Sequence, residues 1–347
     1  MSYVSKWRLL YLLLCFSTTL LLFPNIGQAQ ISISAHNSVL MELSTGRVLF
    51  DKRAHERQSV ASLTKVMTAI IAIESDQFSE QVTTSRRAIY TTGSSIYLEQ
   101  GEKMTLEDLT YGLMLRSGND AAVAIAEHIG GSVEGFVHLM NEKAQWIGMT
   151  NTNFANPHGL EDEDHYSSAY DLALLMRYAM NNETFRKISA TKSYRSNNRS
   201  YYWFNKNKLL TQFYEYCTGG KTGFTKKAGR TLVTTAKHNN MELVAVTLNA
   251  PNDWQDHIHL YDWGFNNFEL TLIDNNLFMP NIFIQVNEKE SMSEQTYKIY
   301  PLNDLEKKLI QNEPKDQTVS NEKSDLSLYK LIDVVLQKIL QISQVFQ

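Results

Sequence analysis

A serine followed three residues later by a lysine can do acyl-transfer chemistry, and this chain holds such a pair at Ser62 and Lys65. A serine hydroxyl is a poor nucleophile until a neighbour takes its proton. A lysine can be that neighbour only if burial or a nearby cation lowers its pKa. The spacing is about one helical turn, so the two side chains share a face. Two further short motifs follow, Ser117-Gly118-Asn119 and Lys221-Thr222-Gly223. Lys221 is a candidate for the depressing cation. None of the three strings is selective alone. Ser-x-x-Lys recurs at Ser189, Ser320 and Ser327, and Ser-x-Asn recurs at Ser196. Context separates them: Ser62 opens a helical pattern, so backbone N–H groups and the positive end of the helix dipole face it.

The elements that must position these residues are readable in outline. Val39 to Leu43 and Arg47 to Asp51 flank Ser44-Thr45-Gly46 and predict a hairpin. A helix is expected from Ser62 through Ile73. Thr105 with Asp108, and Ser168 with Asp171, have the spacing of N-terminal caps. Further helices are expected over Asp120 to Ile129 and Val133 to Ile147. Thr231 to Ala236 and Glu242 to Leu248, joined by Asn239-Asn240, predict a second hairpin, followed by a helix through Trp254 and Tyr261. Strands are thus early and late with helices between. The expected architecture is an α/β fold, an antiparallel sheet with an inserted helical block.

The ends of the chain differ from its middle. Lys6 and Arg8, an apolar run from Leu9 to Phe23, and Gly27-Gln28-Ala29 have the layout of a secretory signal cleaved after Ala29. The alternative is an uncleaved anchor, although the run is shorter than the roughly 18 residues expected of a spanning helix. A catalytic domain is expected over 30–270, a small β-containing region over 271–305 and a polar linker over 306–325. Residues 326–347 carry one helical apolar stripe, Leu328, Leu331, Val335, Ile339 and Ile342. That helix either lies on a membrane surface or packs on the body or another copy.

The formal net charge is −4, which disfavours nucleic acid as a partner. Cys15 leaves with the signal, so Cys217 stands alone and reads as a small buried apolar group. His257 and His259 sit two apart on a predicted helix and do not face one site, and no metal motif or cofactor motif appears elsewhere.

Beyond the three motifs the chain resembles the low-molecular-mass penicillin-binding proteins, the serine D-Ala-D-Ala carboxypeptidases. The residues that carry the resemblance are Ala61 to Thr68, Gly93-Ser94-Ser95, Gly101-Glu102, Ser117 to Ala122, Asn156 to Leu160, Asn205 to Leu210, Gly220 to Thr225 and Asp262 to Phe265. The resemblance implies a β-lactamase/transpeptidase-like fold. It implies that Ser62 attacks the carbonyl between two D-alanines with Lys65 as general base. Ser117 would relay a proton to the leaving amine, and Asn119 would hold Lys65 and the substrate amide. Lys221 and Thr222 would bind the terminal carboxylate, and Gly223 would let the substrate lie along the strand. The N–H groups of Ser62 and Phe224 would form the oxyanion hole. Peptidoglycan stem peptides are the implied substrate, β-lactams the implied inhibitors, and the outer face of the cytoplasmic membrane, periplasm or cell wall the implied location.

Asn156 to Leu160 is expected to be a structural loop bordering the cleft. A D,D-endopeptidase of peptidoglycan cross-links would use the same residues. A catalytically silent peptidoglycan- or β-lactam-binding module is disfavoured by the presence of Ser62, Lys65 and Lys221 together. A class A β-lactamase is disfavoured because 150–175 lacks a Glu-x-x-Leu-Asn element. Nothing in the sequence sets a vegetative or sporulation role.

Overall fold

Strands from the two ends of the catalytic region meet in one sheet, and the residues between them supply the helices. The computed structural model describes residues 31–273 and 283–288, all within the unit Met1–Ser291. In chain order, β1 (Asn37–Glu42) and β2 (Val48–Lys52) precede a 3-10 turn (Ala61–Thr64) and α1 (Lys65–Glu74). Then come β3 (Gln81–Thr83), α2 (Arg86–Ile89), β4 (Lys103–Thr105) and α3 (Leu106–Tyr111), which runs into a π-helical turn (Gly112–Arg116). The helices α4 (Asn119–Gly130), α5 (Val133–Ile147), α6 (Ala169–Ala179) and α7 (Glu183–Ala190) follow. Short strands β5 (Ser193–Tyr194) and β6 (Trp203–Phe204) and a second π turn (Leu209–Phe213) lead to β7 (Cys217–Thr225), β8 (Gly229–His238) and β9 (Met241–Leu248). The helix α8 (Asp253–Asn267) comes next, and β10 (Phe268–Ile273) pairs with β11 (Phe283–Glu288).

The central sheet is antiparallel in the order β2-β1-β9-β8-β7. Both faces are covered, so its strands alternate between two cores. Val39 and Met41 of β1 and Val244 and Val246 of β9 face the helical block. Leu40, Leu243 and Ala245, one residue out of phase, meet Leu260, Tyr261 and Phe265 of α8. This is the two-residue period of a pleated sheet. Burying each large aliphatic side chain contributes about 1.5–3 kcal/mol. The expected hairpins and helices fall where their patterns predict, within a few residues. The early turn is tied by the buried Glu42, whose carboxylate accepts from the amides of Ser44 and Thr45, with Gly46 at φ +72°.

α1 is buried on nearly every side, from Lys65 to Ala72. A helix that is apolar all round belongs in a core, and this one puts the Ser62–Lys65 pair at the meeting point of sheet and helical block. The expected helix start at Ser62 is refined: Ser62 lies in the 3-10 turn, and the α-helix proper begins at Lys65. β7 forms the sheet edge beside this turn. β10 runs across position 270, and β11 lies within the region 271–305 expected to contain β structure. The readings of 1–29 and 306–347, and the rest of 271–305 beyond these strands, lie outside the described residues.

Both expected caps form. Thr105 Oγ1 accepts from Asp108 N, and Ser168 Oγ accepts from Asp171 N at 3.1 Å. Asp171 in turn accepts from Asn151 N and Thr152 Oγ1, which anchors the base of the 151–167 loop. Replacing Ser168 with Ala is expected to lose about 1 kcal/mol, the usual value of such a cap. Urea unfolding would register this as a lower midpoint with unchanged slope; an unchanged midpoint would show that the cap is idle.

Candidate active site

The 3-10 turn brings Ser62 and Lys65 together: Lys65 Nζ lies 2.9 Å from Ser62 Oγ. The same nitrogen lies 2.7 Å from Asn119 Oδ1 and 2.6 Å from the carbonyl oxygen of His158. Asn119 donates through Nδ2 to Thr92 O at 2.6 Å, which turns its oxygen toward Lys65. Both of those partners are pure acceptors. A neutral amine has two N–H bonds and one lone pair. Donating to Asn119 and His158 uses both N–H bonds and leaves the lone pair for the Ser62 hydroxyl. Lys65 is fully buried, and burial, then the charges of Lys221 and Lys206, hold its pKa well below the usual lysine value.

Ser117 and Lys221 make a second pair at 3.0 Å. Ser117 follows the π-helical turn and adopts φ +66°, a left-handed conformation rare for a residue with a side chain. A π turn and a strained residue in sequence are features that cluster at functional sites. Lys221 projects from β7 into the interior, and its Nζ also donates to Thr222 O at 2.7 Å. Burial and then Lys206 push its pKa down to about 7. The repulsion between the two charges acts on both lysines; the two fixed acceptors that leave a lone pair toward Ser62 single out Lys65 as the one suited to the neutral form.

Backbone approach is close here. A Cβ on Gly223 would stand 2.4 Å from Thr231 Oγ1 and 3.0 Å from Ser62 N, so the site requires glycine there. Thr231 Oγ1 donates to Val60 O at 3.1 Å, which ties β8 to the start of the Ala61–Thr64 turn. Ala61, just before Ser62, has φ +49°. Its carbonyl accepts from Thr64 Oγ1, which contacts His165 Nε2 at 2.7 Å. Ala155 N donates to His165 Nδ1, so Nε2 carries the imidazole proton and donates to Thr64. Burial keeps His165 neutral, with a pKa lowered to about 4.

Ser62, Lys65, Ser117, Asn119 and Lys221 therefore converge, and Gly223 runs against Ser62. Thr222 is half-buried on the same strand, and the Phe224 side chain points to solvent. Asn156 to Leu160, expected only to border the cleft, contributes more: the His158 carbonyl is a direct partner of Lys65. A backbone carbonyl has no residue-type signature, so sequence reasoning had no means of finding it. Lys206 is likewise part of the site. It donates to Ser94 Oγ at 3.1 Å, and Ser94 O accepts from Asn119 N. Its segment was matched by resemblance, without a role.

The competing motifs are structural. Ser189 is buried and accepts from Gly220 N at 2.8 Å, and Ser196 Oγ accepts from Asn198 N. Ser320 and Ser327 lie outside the described residues. His257 is a core residue between Thr234 Oγ1 and Thr247 Oγ1. Cys217 is buried, which pushes its thiol up to about 11. Among the described residues no group of metal-ligating side chains converges.

A hydroxyl facing a depressed lysine, beside a second serine–lysine pair on a sheet edge, defines a serine acyl-transfer enzyme. Residues 25–252 match the family model of the D-alanyl-D-alanine carboxypeptidases, peptidase family S11. The D-alanyl-D-alanine carboxypeptidase DacF of Bacillus subtilis is 36% identical over 300 residues, covering 81% of this chain and 77% of that protein. DacC of Escherichia coli is 35% identical over 69% of this chain, which spans 63% of DacC. Penicillin binding protein 6B of Escherichia coli superposes with a TM-score of 0.70 at 31% identity, over 76% of this chain and 88% of that one. This chain belongs to the D-alanyl-D-alanine carboxypeptidase family, among the low-molecular-mass penicillin-binding proteins.

Gly159 holds the two halves of the site in contact. At φ +86°, a Cβ there would lie 1.9 Å from the Ala61 carbonyl oxygen. Gly159→Ala is expected to lose of order 1–3 kcal/mol of stability from backbone strain. It is also expected to slow acylation of Ser62 by a β-lactam by about 10²-fold through misplacement. Thermal unfolding and stopped-flow acylation read the two effects; an unchanged acylation rate would contradict this role for Gly159.

Proposed function

We propose that the protein is a serine D-alanyl-D-alanine carboxypeptidase that removes the terminal D-alanine of peptidoglycan stem pentapeptides, with Ser62 as nucleophile. The observation that carries this reading is the geometry of two serine–lysine pairs side by side, Lys65 on Ser62 and Lys221 on Ser117, with both lysines buried. Ser62 attacks the carbonyl of the penultimate D-alanine, and its proton passes to Lys65. Negative charge grows on the carbonyl oxygen and is met by the N–H groups of Ser62 and Phe224. Ser117, hydrogen-bonded to Lys221, relays that proton to the departing amine: it gives its own proton and takes the one held by Lys65, which returns Lys65 to the neutral form. Asn119 holds Lys65 and the substrate amide. Lys221 and Thr222 receive the terminal carboxylate, which suits a lysine that keeps its proton longer than Lys65 does. Gly223 leaves room for the substrate backbone along β7, an edge strand of the kind that accepts extended peptides. Water then releases the acyl group from Ser62. A β-lactam enters the same path and stalls as the acyl-enzyme.

Export is part of the proposal. It rests on Lys6, Arg8, the apolar run and Ala29, which support a signal over 1–29. The catalytic domain is assigned to 30–270, followed by the small β-containing region 271–305 and the linker 306–325. The apolar stripe of 326–347 supports peripheral contact with the outer face of the cytoplasmic membrane. No described helix is long and apolar enough to cross a membrane.

Residues 30–347 should release D-alanine from a pentapeptide ending in D-Ala-D-Ala. Ser62→Ala should lower that rate by at least about 10⁴-fold, as expected when a nucleophile is removed. Release that survives in Ser62→Ala would remove Ser62 from the mechanism. Absence of release from the pentapeptide, with cleavage of a cross-linked dimer, would move the activity to the endopeptidase.

A further inference from the structure

Four aromatic side chains stand out from the surface next to the cleft: Tyr97 (79% exposed), Tyr201 (47%), Tyr202 (54%) and Phe204 (63%). Single exposed rings are ordinary, but these are connected. The Tyr202 and Phe204 rings lie 6.4 Å apart, and Arg195 sits over Tyr202 at 5.5 Å. Arg199 donates to the Tyr97 carbonyl. The group is also joined to the catalytic residues. Arg116, immediately before Ser117, donates to Phe204 O at 3.3 Å. Lys206, two residues after Phe204, reaches Ser94 beside Asn119.

Nothing in the core calls for aromatic groups at these positions. In β6 it is Trp203 that points inward and is buried, while Phe204 points out. Tyr97 is held at φ +61°, a conformation strained for a bulky residue and one that clusters at ligand clamps. Ser95 Oγ accepts from Tyr97 N and donates to the buried Asp120, which fixes the strained loop. Among the described residues Arg116, Arg195 and Lys206 have no carboxylate within ion-pair distance. On a chain of net charge −4, unpaired cations among exposed rings form a surface complementary to an anionic ligand with flat apolar faces.

We propose that this aromatic and cationic shelf binds the part of the peptidoglycan polymer that stays outside the cleft while its terminal dipeptide is cut. Sugar rings stack on Tyr202 and Phe204, and carboxylates of the stem peptide face Arg195 and Arg116. The proposal rests on the carboxypeptidase reading and adds to it a preference for polymeric over short substrates. Aromatic contacts contribute about 0.5–1.5 kcal/mol each, so two together amount to about tenfold in affinity.

The test compares the full chain with Tyr202→Ala/Phe204→Ala and with Arg195→Ser, on purified peptidoglycan sacculi and on a short D-Ala-D-Ala pentapeptide. The double variant should release D-alanine from sacculi about tenfold more slowly and from the pentapeptide at a rate within about twofold of the parent. The retained pentapeptide rate also reports that the variant is folded. In a Ser62→Ala background, the same double substitution should weaken cosedimentation with sacculi, and Arg195→Ser should reduce its salt dependence. Equal losses on both substrates, or no loss on sacculi, would overturn the shelf. If the parent released D-alanine from neither substrate while the double substitution still abolished cosedimentation, the shelf would stand and the carboxypeptidase reading would fall.

Discussion

Two lysine ammonium groups in one dry pocket cannot both keep their protons cheaply, and the site is built around that conflict. Burial disfavours each charge, and each charge disfavours the other. The protein resolves the conflict asymmetrically. Lys65 meets two fixed acceptors, Asn119 Oδ1 and the His158 carbonyl, and turns its remaining valence to Ser62. Lys221 meets Ser117 and Thr222 O and retains capacity for an anion. In the proposed mechanism one depressed lysine becomes the base and the other an electrostatic clamp. The linkage to stability has a definite sign. Between the depressed and the ordinary lysine values the unfolded chain binds protons that the folded protein has shed, so this contribution to stability grows as pH rises through that window. For Lys221 the window runs from about 7 to the ordinary value of 10.5.

That arrangement demands backbone conformations that an unconstrained chain avoids. Ala61 and Ser117 both sit at positive φ, one residue before Ser62 and at the partner of Lys221. Each is held by surroundings that leave no alternative. Gly159 and the His165–Thr64 chain fix the Ala61 carbonyl, while the π turn and α4 bracket Ser117. Asp120 gathers Ser95 Oγ and the amides of Ile96 and Leu98, so the loop facing Ser117 is also fixed. Strain at the reacting atoms is thus offset by hydrogen bonds just behind them.

Much of this was legible in the sequence because it depends on side-chain type and local spacing. The Ser62–Lys65 interval, the caps at Thr105 and Ser168, the β-rich runs of β8 and β9 and the helical pattern of α5 all predict what is found. The α/β class followed from the order of those patterns, and the low-molecular-mass penicillin-binding family followed from motif content. The features that escaped prediction have no side-chain signature. A π turn at Gly112–Arg116 is isomorphous in sequence with an α-helix end. The His158 carbonyl could belong to any residue. The separation of Ser62 from Ser189 rested on context, and the reason is now physical: Ser189 is spent on Gly220 N. β10 went unread because the helix runs through Asn266-Asn267 and the strand begins at the very next residue, Phe268, with no connecting segment between them.

The asymmetry of the two lysines is the claim on which the mechanism depends. Carbon-13 NMR of lysine side chains, followed from acid to alkaline pH in the unacylated protein and assigned with Lys65→Arg and Lys221→Arg, measures it directly. The account predicts that the Lys65 signal reports a neutral amine at pH 7 and that a second signal, Lys221, changes charge near pH 7 or above it. Two signals that both stay charged to the ordinary lysine range would contradict it and leave Ser62 without its base.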